Sequence, residues 1–550
     1  MKKTITFILF FCWLNFSFAQ WSSNTTINTP VCTSTGKQID VRITDDGFGG
    51  AFIAWKDFRA ANGQPDIYVQ YLNQLGIAQW TFDGVCLVND TLDQSTPSMV
   101  NDMSGGVIVV WTDLRTNTER DIYAQRIDVT GTIQWQFNGV VVANKPIREH
   151  NEKVISDDAG GAIILWEQQD TSGIWDIWAQ RINHAGNTLW TAGGIKICTV
   201  VANRLNPKVQ KDGRGGAIIT WQDLRNNVDY DIYAQRLDEN GNRLWGNGGV
   251  SVCAMANSQL DPKIDPDSII GGAYIAWVDK RNNIDYDIYA QRVDSMGNML
   301  WTVNGVAVCT ASGNQSAQDI ISNNLTGGVI CAWKDTRFGN YDIYTQKLNQ
   351  LGAAQWTTDG IIISNAAYNQ INPNIADDLA GGAIICWQDY NGFDYDIKSQ
   401  HINTNGIIQW TAGGENICTS VGDQTSPKNT SDGNGGAIYA WQDKRSGVND
   451  IYAHHLFANG SPNAVNQFEV SSLKFQVYPN PASEELRITN YELRIGDEIK
   501  IVNMIGETMR INTVVSSGNN SIAVHALPAG IYFTTVKSTD GVYTMKFVKE

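Results

Sequence analysis

The sequence predicts an all-β protein: an eight-bladed β-propeller of repeats about 55 residues long, followed by a smaller β-sandwich. Three observations predict it. A block Gly-Gly-Ala-x-x-x-Trp-x-Asp recurs through the chain, with its tryptophans at Trp55, Trp111, Trp166, Trp221, Trp277, Trp333, Trp387 and Trp441, spaced by 54 to 56 residues. A block Asp-Ile-Tyr-Ala-Gln-Arg follows each, at Asp66, Asp121, Asp176, Asp231, Asp287, Asp342, Asp396 and Asp450. A third tryptophan block, ahead of Gly-Val-x-Val-Cys, contributes Trp21, Trp80, Trp135, Trp190, Trp245, Trp301, Trp356 and Trp410.

Taken in order, residues 1–19 read as a secretory leader. Lys2 and Lys3 precede a mostly apolar run from Ile5 to Phe18, and Ala19 offers the small residue that cleavage requires. The run is shorter than the ~20 residues needed to cross a bilayer. No later segment is long and apolar enough to do so.

Residues 20–460 hold the repeats. Each unit reads as four short strands, in the fourth copy Pro207 to Lys211, Ala217 to Asp223, Asp231 to Asp238 and Gly249 to Cys253. Asp212-Gly213-Arg214-Gly215-Gly216 is a tight hairpin turn, and its paired glycines recur in all eight copies. The second strand is apolar on both faces, as a strand covered by two neighbouring blades must be. Phase predicts closure. The repeats open on the third block, Trp21 to Cys32, and the last copy stops near His455 without one, so the N-terminal strand is expected to complete the last blade. An open solenoid of the same units is the alternative.

Eight cysteines follow the leader's Cys12. Cys32, Cys198, Cys253, Cys309 and Cys418 share one position of the unit, where other copies carry Val88, Ala143 and Ser364. A position that accepts Cys, Val, Ala or Ser is a small packing site, so these are expected to be mostly free, buried thiols.

The formal net charge is −16, two units more negative once Lys2 and Lys3 leave, which argues against nucleic acid and anionic membranes as partners. The Trp80, Trp135, Trp190, Trp245, Trp301, Trp356 and Trp410 series lies near turns. It is the candidate binding series, a ring of sugar-stacking faces, with blade-to-blade packing as the competing reading. Repeated sets such as Asp223, Arg225 and Asp231 read as an arginine–carboxylate clamp on a hairpin loop. Asp229 with Asp231, or Asp285 with Asp287, offers oxygen ligands to Ca²⁺ as the second reading, and no cofactor is expected otherwise. Departures from the repeat mark candidate asymmetric features: Glu167 to Asp170, Trp175 and Trp178 in the third copy; Asn391, Lys398 and His401 in the seventh; His454 and His455 in the eighth. No catalytic residue is singled out. The six histidines have no metal-ligand spacing, and no nucleophile elbow, zincin or phosphate-loop motif occurs.

After Gly460 the composition shifts. Residues 461–472 read as a linker and 473–550 as an independent β-sandwich. Val477-Tyr478-Pro479-Asn480-Pro481-Ala482, then Ile499 to Asn503 with Ile505-Gly506-Glu507, then Leu527-Pro528-Ala529-Gly530-Ile531-Tyr532-Phe533, stand in order. This tail resembles the type A C-terminal sorting domain of the type IX secretion system, carried by Tyr478, Pro479, Asn480, Pro481, Gly506, Gly530 and Tyr532. The resemblance implies passage through the periplasm and outer membrane of a Bacteroidota-type bacterium, with the secretion machinery as partner, leaving the cargo on the surface or released. The repeats more loosely resemble bacterial propeller repeats. The leading expectation is a non-catalytic binding or adhesion protein for glycans or proteins. A hydrolase acting on polysaccharide or glycoconjugate, with convergent acidic residues in the channel, and a structural surface-layer component are the alternatives.

Overall fold

The computed structural model describes residues 21–116 and 119–462, and in the C-terminal part 476–479, 481–489, 498–503, 508–513, 521–538 and 541–550. The expected leader (1–19), positions 463–472 of the expected linker, Asn480 and Gly506 lie outside the described residues. The chain divides into two compact units between Ala464 and Val465. Among the described residues there is no α-helix, hence none long and apolar enough to cross a membrane.

The first unit is a ring of eight four-stranded antiparallel sheets. The fourth blade comprises Arg204–Lys211, Ala217–Asp223, Asp231–Leu237 and Val250–Cys253, from the inside of the ring outwards. Each inner strand packs against the inner strands of both neighbouring blades, and Gln38–Asp45 of blade 1 packs against Gln424–Ser431 of blade 8. The circle is therefore closed. Blade 8 takes its outer strand from the N-terminal end, where Thr29–Cys32 pairs with Asp450–Leu456 in the register Thr29↔Ala453.

The inner strands begin earlier than the sequence predicts. In blade 4 the strand starts at Arg204, because a bulge interrupts its pairing between Leu205 and Lys208 without ending it. Asn206 sits in the bulge with φ +54°. Every blade has this bulge, and the residue at its start (Asp40, Thr96, Asn151, Asn206, Asp261, Ala317, Asn372 or Ser426) has positive φ. A bulge re-aims the side chains that follow it, here those lining the axis.

The hairpin turn at the opposite end of each inner strand uses its residues fully. Asp212 Oδ1 accepts from the backbone N–H groups of Arg214 and Gly216, both at 2.8 Å, while Oδ2 accepts from Arg236. A Cβ on Gly216 would lie 2.1 Å from the Leu237 carbonyl oxygen, so only glycine fits. The departures at His401 and His455 keep this contact in another form. Their Nε2 atoms meet Asp378 and Asp432 at 2.9 and 2.8 Å, where blades 2 to 5 place arginine.

The second unit is a β-sandwich. A three-stranded sheet (Gln476–Tyr478, Glu485–Thr489, Ser521–Ala523) faces a four-stranded sheet ordered Thr508–Thr513, Glu498–Asn503, Gly530–Ser538, Gly541–Lys549. Leu486, Ile488 and Ile522 from one sheet and Ile499, Ile501, Val536 and Phe547 from the other form the shared core.

Candidate ligand site in the axial channel

The expected sugar-stacking series has a defined place. Each indole crosses a blade boundary: Trp80 Nε1 donates to the Val129 carbonyl at 2.9 Å, Trp135 to His184 at 2.9 Å and Trp190 to Glu239 at 3.0 Å. Trp245 donates to Ser295, Trp301 to Gln350, Trp356 to Thr404 and Trp410 to Ala458 in the same way. All are buried except the half-buried Trp356. A glycine of the next blade lies on each ring, so close that a Cβ on Gly297 would fall 3.0 Å from Trp245. These side chains latch one blade to the next, and Trp356 is the member of the series that keeps part of its surface open.

The clamp residues are also internal. Arg225 holds Asp223 through Nε at 2.9 Å and Nη2 at 2.7 Å, Trp221 Nε1 donates to the same carboxylate at 2.8 Å, and the guanidinium lies 3.5 Å from the Tyr233 ring centroid. The thiol series borders this clamp across the blade seam: Arg59 Nη2 reaches Cys32 Sγ at 3.0 Å. All eight described cysteines are free, and burial pushes the thiols of Cys253, Cys309, Cys386 and Cys418 up to about 12. The paired aspartates are bridged by an amide, with Asn282 Nδ2 donating to both Asp285 (2.6 Å) and Asp287 (2.9 Å). Among the described residues no group of three or more His, Cys, Asp or Glu is placed to hold a metal ion.

What the fold does bring together is the residue that follows each inner-strand bulge. Around the ring these are Arg42, Ser98, Lys153, Lys208, Lys263, Asp319, Asn374 and Lys428. Arg42, Lys208, Lys263 and Lys428 line a recess of about 440 Å³ together with Asp40, Asp261 and Asp319. Lys153 lines an adjoining recess of about 240 Å³ that shares Lys208, Lys263 and Asp319.

Only one of these cations is neutralised. Lys263 Nζ pairs with Asp319 at 3.2 Å, and Asp319 is further held by Asn374 Nδ2 at 2.6 Å. Lys153 donates to Asn151 Oδ1 at 2.6 Å and to the Glu152 carbonyl at 2.9 Å, and Arg42 donates to the Val41 carbonyl at 2.9 Å. Among the described residues, Arg42, Lys153, Lys208 and Lys428 form no ion pair. Burial, and then repulsion from Lys153 and Lys263, holds Lys208 down to about 7. Burial likewise lowers Lys153, Lys428 and Arg42. Burial holds the neighbouring Asp265 up to about 7, which weakens it as a counter-charge. Unpaired cations gathered in a recess cost stability by desolvation and mutual repulsion. An incoming anion relieves both.

No single copy of the repeat announces this ring. Each member stands alone in a strand of mixed polarity, and the signal is visible only down one column of the repeat, where five of eight residues are basic in an acidic chain.

In the second unit, Tyr478 is exposed, with Pro479 half-buried and Pro481 exposed beside it. Gly530 opens a long strand, and Tyr532 is buried with its hydroxyl donating to the Pro528 carbonyl at 2.9 Å.

Residues 476–550 match the family described as secretion system C-terminal sorting domain. The tail is a type IX sorting domain, and the protein is exported to the cell surface or the extracellular space. No curated protein matches the chain. Among solved structures, an ulvan lyase of polysaccharide lyase family PL25, bound to a glucuronate–sulfated rhamnose unit, is 10% identical. That match covers 81% of this chain and 96% of the lyase, with a TM-score of 0.39. An endo-arabinase from Bacteroides thetaiotaomicron is 14% identical over 48% of this chain and 96% of its own, with a TM-score of 0.29. The GH93 α-L-arabinofuranosidase of Fusarium graminearum is 8% identical over 67% and 94%, with a TM-score of 0.34.

Proposed function

We propose that the protein is an exported, non-catalytic binding module that takes a negatively charged extracellular ligand into the mouth of its axial channel. The observation that carries this reading is the set of unpaired cations, Arg42, Lys208 and Lys428 on one recess and Lys153 on the next. The recess has the size of a small-ligand pocket. A carboxylate or sulfate placed there gains charge-assisted hydrogen bonds and removes the like-charge repulsion. Calorimetric titration of the full chain with carboxylated, sulfated and neutral glycans tests it. Binding is expected in the charged arms only, and Lys208→Met should weaken it by about tenfold. Binding confined to neutral glycans would end the reading.

A second reading, catalysis, draws on the carboxylates of Asp40, Asp261 and Asp319, which edge the same recess. Against it stands Asp319, already committed to Lys263 and Asn374. Release of new reducing ends or of unsaturated sugar during prolonged incubation with a bound polymer would favour catalysis over simple binding.

A further inference from the structure

One further position of the repeat is unlike the rest. The residue just before the Asp-Ile block is aromatic in five consecutive blades: Trp175, Tyr230, Tyr286, Tyr341 and Tyr395. The remaining copies carry Pro65, Arg120 and Asn449 there. All five aromatics are half-buried, whereas the tryptophans of both repeated series, Trp356 apart, are buried inside the ring or between blades.

These residues stand where the next blade's inner strand begins. The backbone carbonyls of Tyr230, Tyr286 and Tyr341 accept from the N–H groups of Gln259, Gln315 and Gln370, each at 2.7 Å and each the first residue of an inner strand. The Trp175 ring meets His150 at a centroid distance of 4.4 Å, and His150 lies on the same inner strand as Lys153. Cations accompany the rings. Lys280 Nζ is 5.3 Å from the Tyr286 centroid, Lys334 Nζ is 4.5 Å from Tyr341, and the Arg148 guanidinium is 6.0 Å from Trp175. The arc thus runs along the same end of the ring as the basic mouth.

Aromatic faces stack on the C–H faces of sugar rings, and nearby ammonium or guanidinium groups meet their acidic substituents. An arc offering both, leading from a recess lined with unpaired cations, matches a chain of acidic sugars. We infer that the ligand is an acidic polysaccharide, one bearing carboxylate or sulfate groups, with one unit in the basic mouth and following units across the aromatic arc of blades 3 to 7. The inference rests on the reading of the mouth as an anion site. The exposed tips Val228, Ile284, Phe338 and Phe393 near the arc would suit a protein partner instead. Each is a single side chain on its own loop, and the charged recess is too small for a folded domain, so the glycan is the better match.

The test uses the full chain and calorimetry with four probes: inorganic sulfate, an oligogalacturonate ladder from one sugar to eight, a sulfated ladder of the same lengths, and an acidic peptide series. Affinity is expected to rise about tenfold or more with length in one of the two sugar ladders, and which ladder it is separates carboxylate from sulfate. The double variant Tyr286→Ala/Tyr341→Ala should flatten that rise while leaving sulfate and the monosaccharide unchanged. Tyr286→Phe, which keeps the stacking face, should preserve it and guards against a folding defect. If sulfate binds and is lost in Lys208→Met, yet affinity is independent of length, the arc is not a platform and the mouth reading alone survives. If no anion binds, the mouth reading itself fails. Acidic peptides that outbind the sugars, with loss in Phe338→Ser/Phe393→Ser, would overturn the glycan in favour of a protein partner.

Discussion

Lys208 is the residue on which the chemistry of the mouth turns. Burial opposes its charge most, Lys153 and Lys263 add to the opposition, and Asp261 and Glu167 support the charge more weakly. With its ammonium held down to about 7, part of the population is neutral at physiological pH. An anion that binds the charged form must therefore draw in a proton. Affinity should be greatest below pH 7 and fall as pH rises through 8, and the heat of binding should vary with the ionisation enthalpy of the buffer. Lys208→Met should abolish that buffer dependence along with most of the affinity. Glu149 is the opposite case. Six other copies carry Gln at its position (Gln38, Gln94, Gln259, Gln315, Gln370 and Gln424). Burial, followed by the Asp121 charge, holds its carboxyl up to about 8. A folded-state value above the unfolded one favours the protonated form, so this stability is full below about pH 4.5 and is lost as pH rises towards 8. Glu149→Gln should be neutral at pH 4.5 and raise the melting temperature by ~1–3 °C at pH 8.

At the level of the strand and turn, the inter-blade latch carries the next prediction. Trp245→Phe keeps the ring against Gly297 but removes the donor to Ser295. It should cost about 1 kcal/mol of stability and leave glycan binding unchanged. A large loss of binding would instead restore the tryptophan series as sugar platforms. A repeat makes some elements legible in the sequence and hides others. The second and third strands and the paired-glycine turns could be read directly, because Asp212, Gly215 and Gly216 each have one geometric use. The inner strand is expected to start only at Pro207, because an asparagine ahead of a proline has the composition of a loop, and only the bulge lets Asn206 continue a strand. The tryptophans near turns were ambiguous for a related reason. Proximity to a turn predicts exposure, but the facing turn of the next blade covers Trp80 and its equivalents. Lys208 and its neighbours were not legible, since no pattern within one copy announces that eight strands converge on an axis.

The whole molecule sets the conditions under which the mouth is reached. The chain is strongly acidic, with a formal net charge of −16, yet it collects cations at the axis. A polyanion is repelled at long range and attracted only on arrival. The association rate constant for an acidic oligosaccharide should therefore rise severalfold as ionic strength goes from about 10 to about 150 mM, because the Debye length falls from ~30 Å to ~8 Å. The dissociation rate should rise over the same range, and stopped-flow mixing separates the two. A ring closed by its own first strand carries a consequence in time. Arg445 donates to the carbonyl of Thr26, 419 positions earlier in the chain, so blade 8 cannot be completed until nearly the whole ring has been synthesised. At roughly 5–20 residues per second the first strand waits on the order of 20–80 s for its partner. Through that interval the growing chain holds at most seven complete blades and no finished circle, so its N-terminal strand stays unpaired until blade 8 emerges.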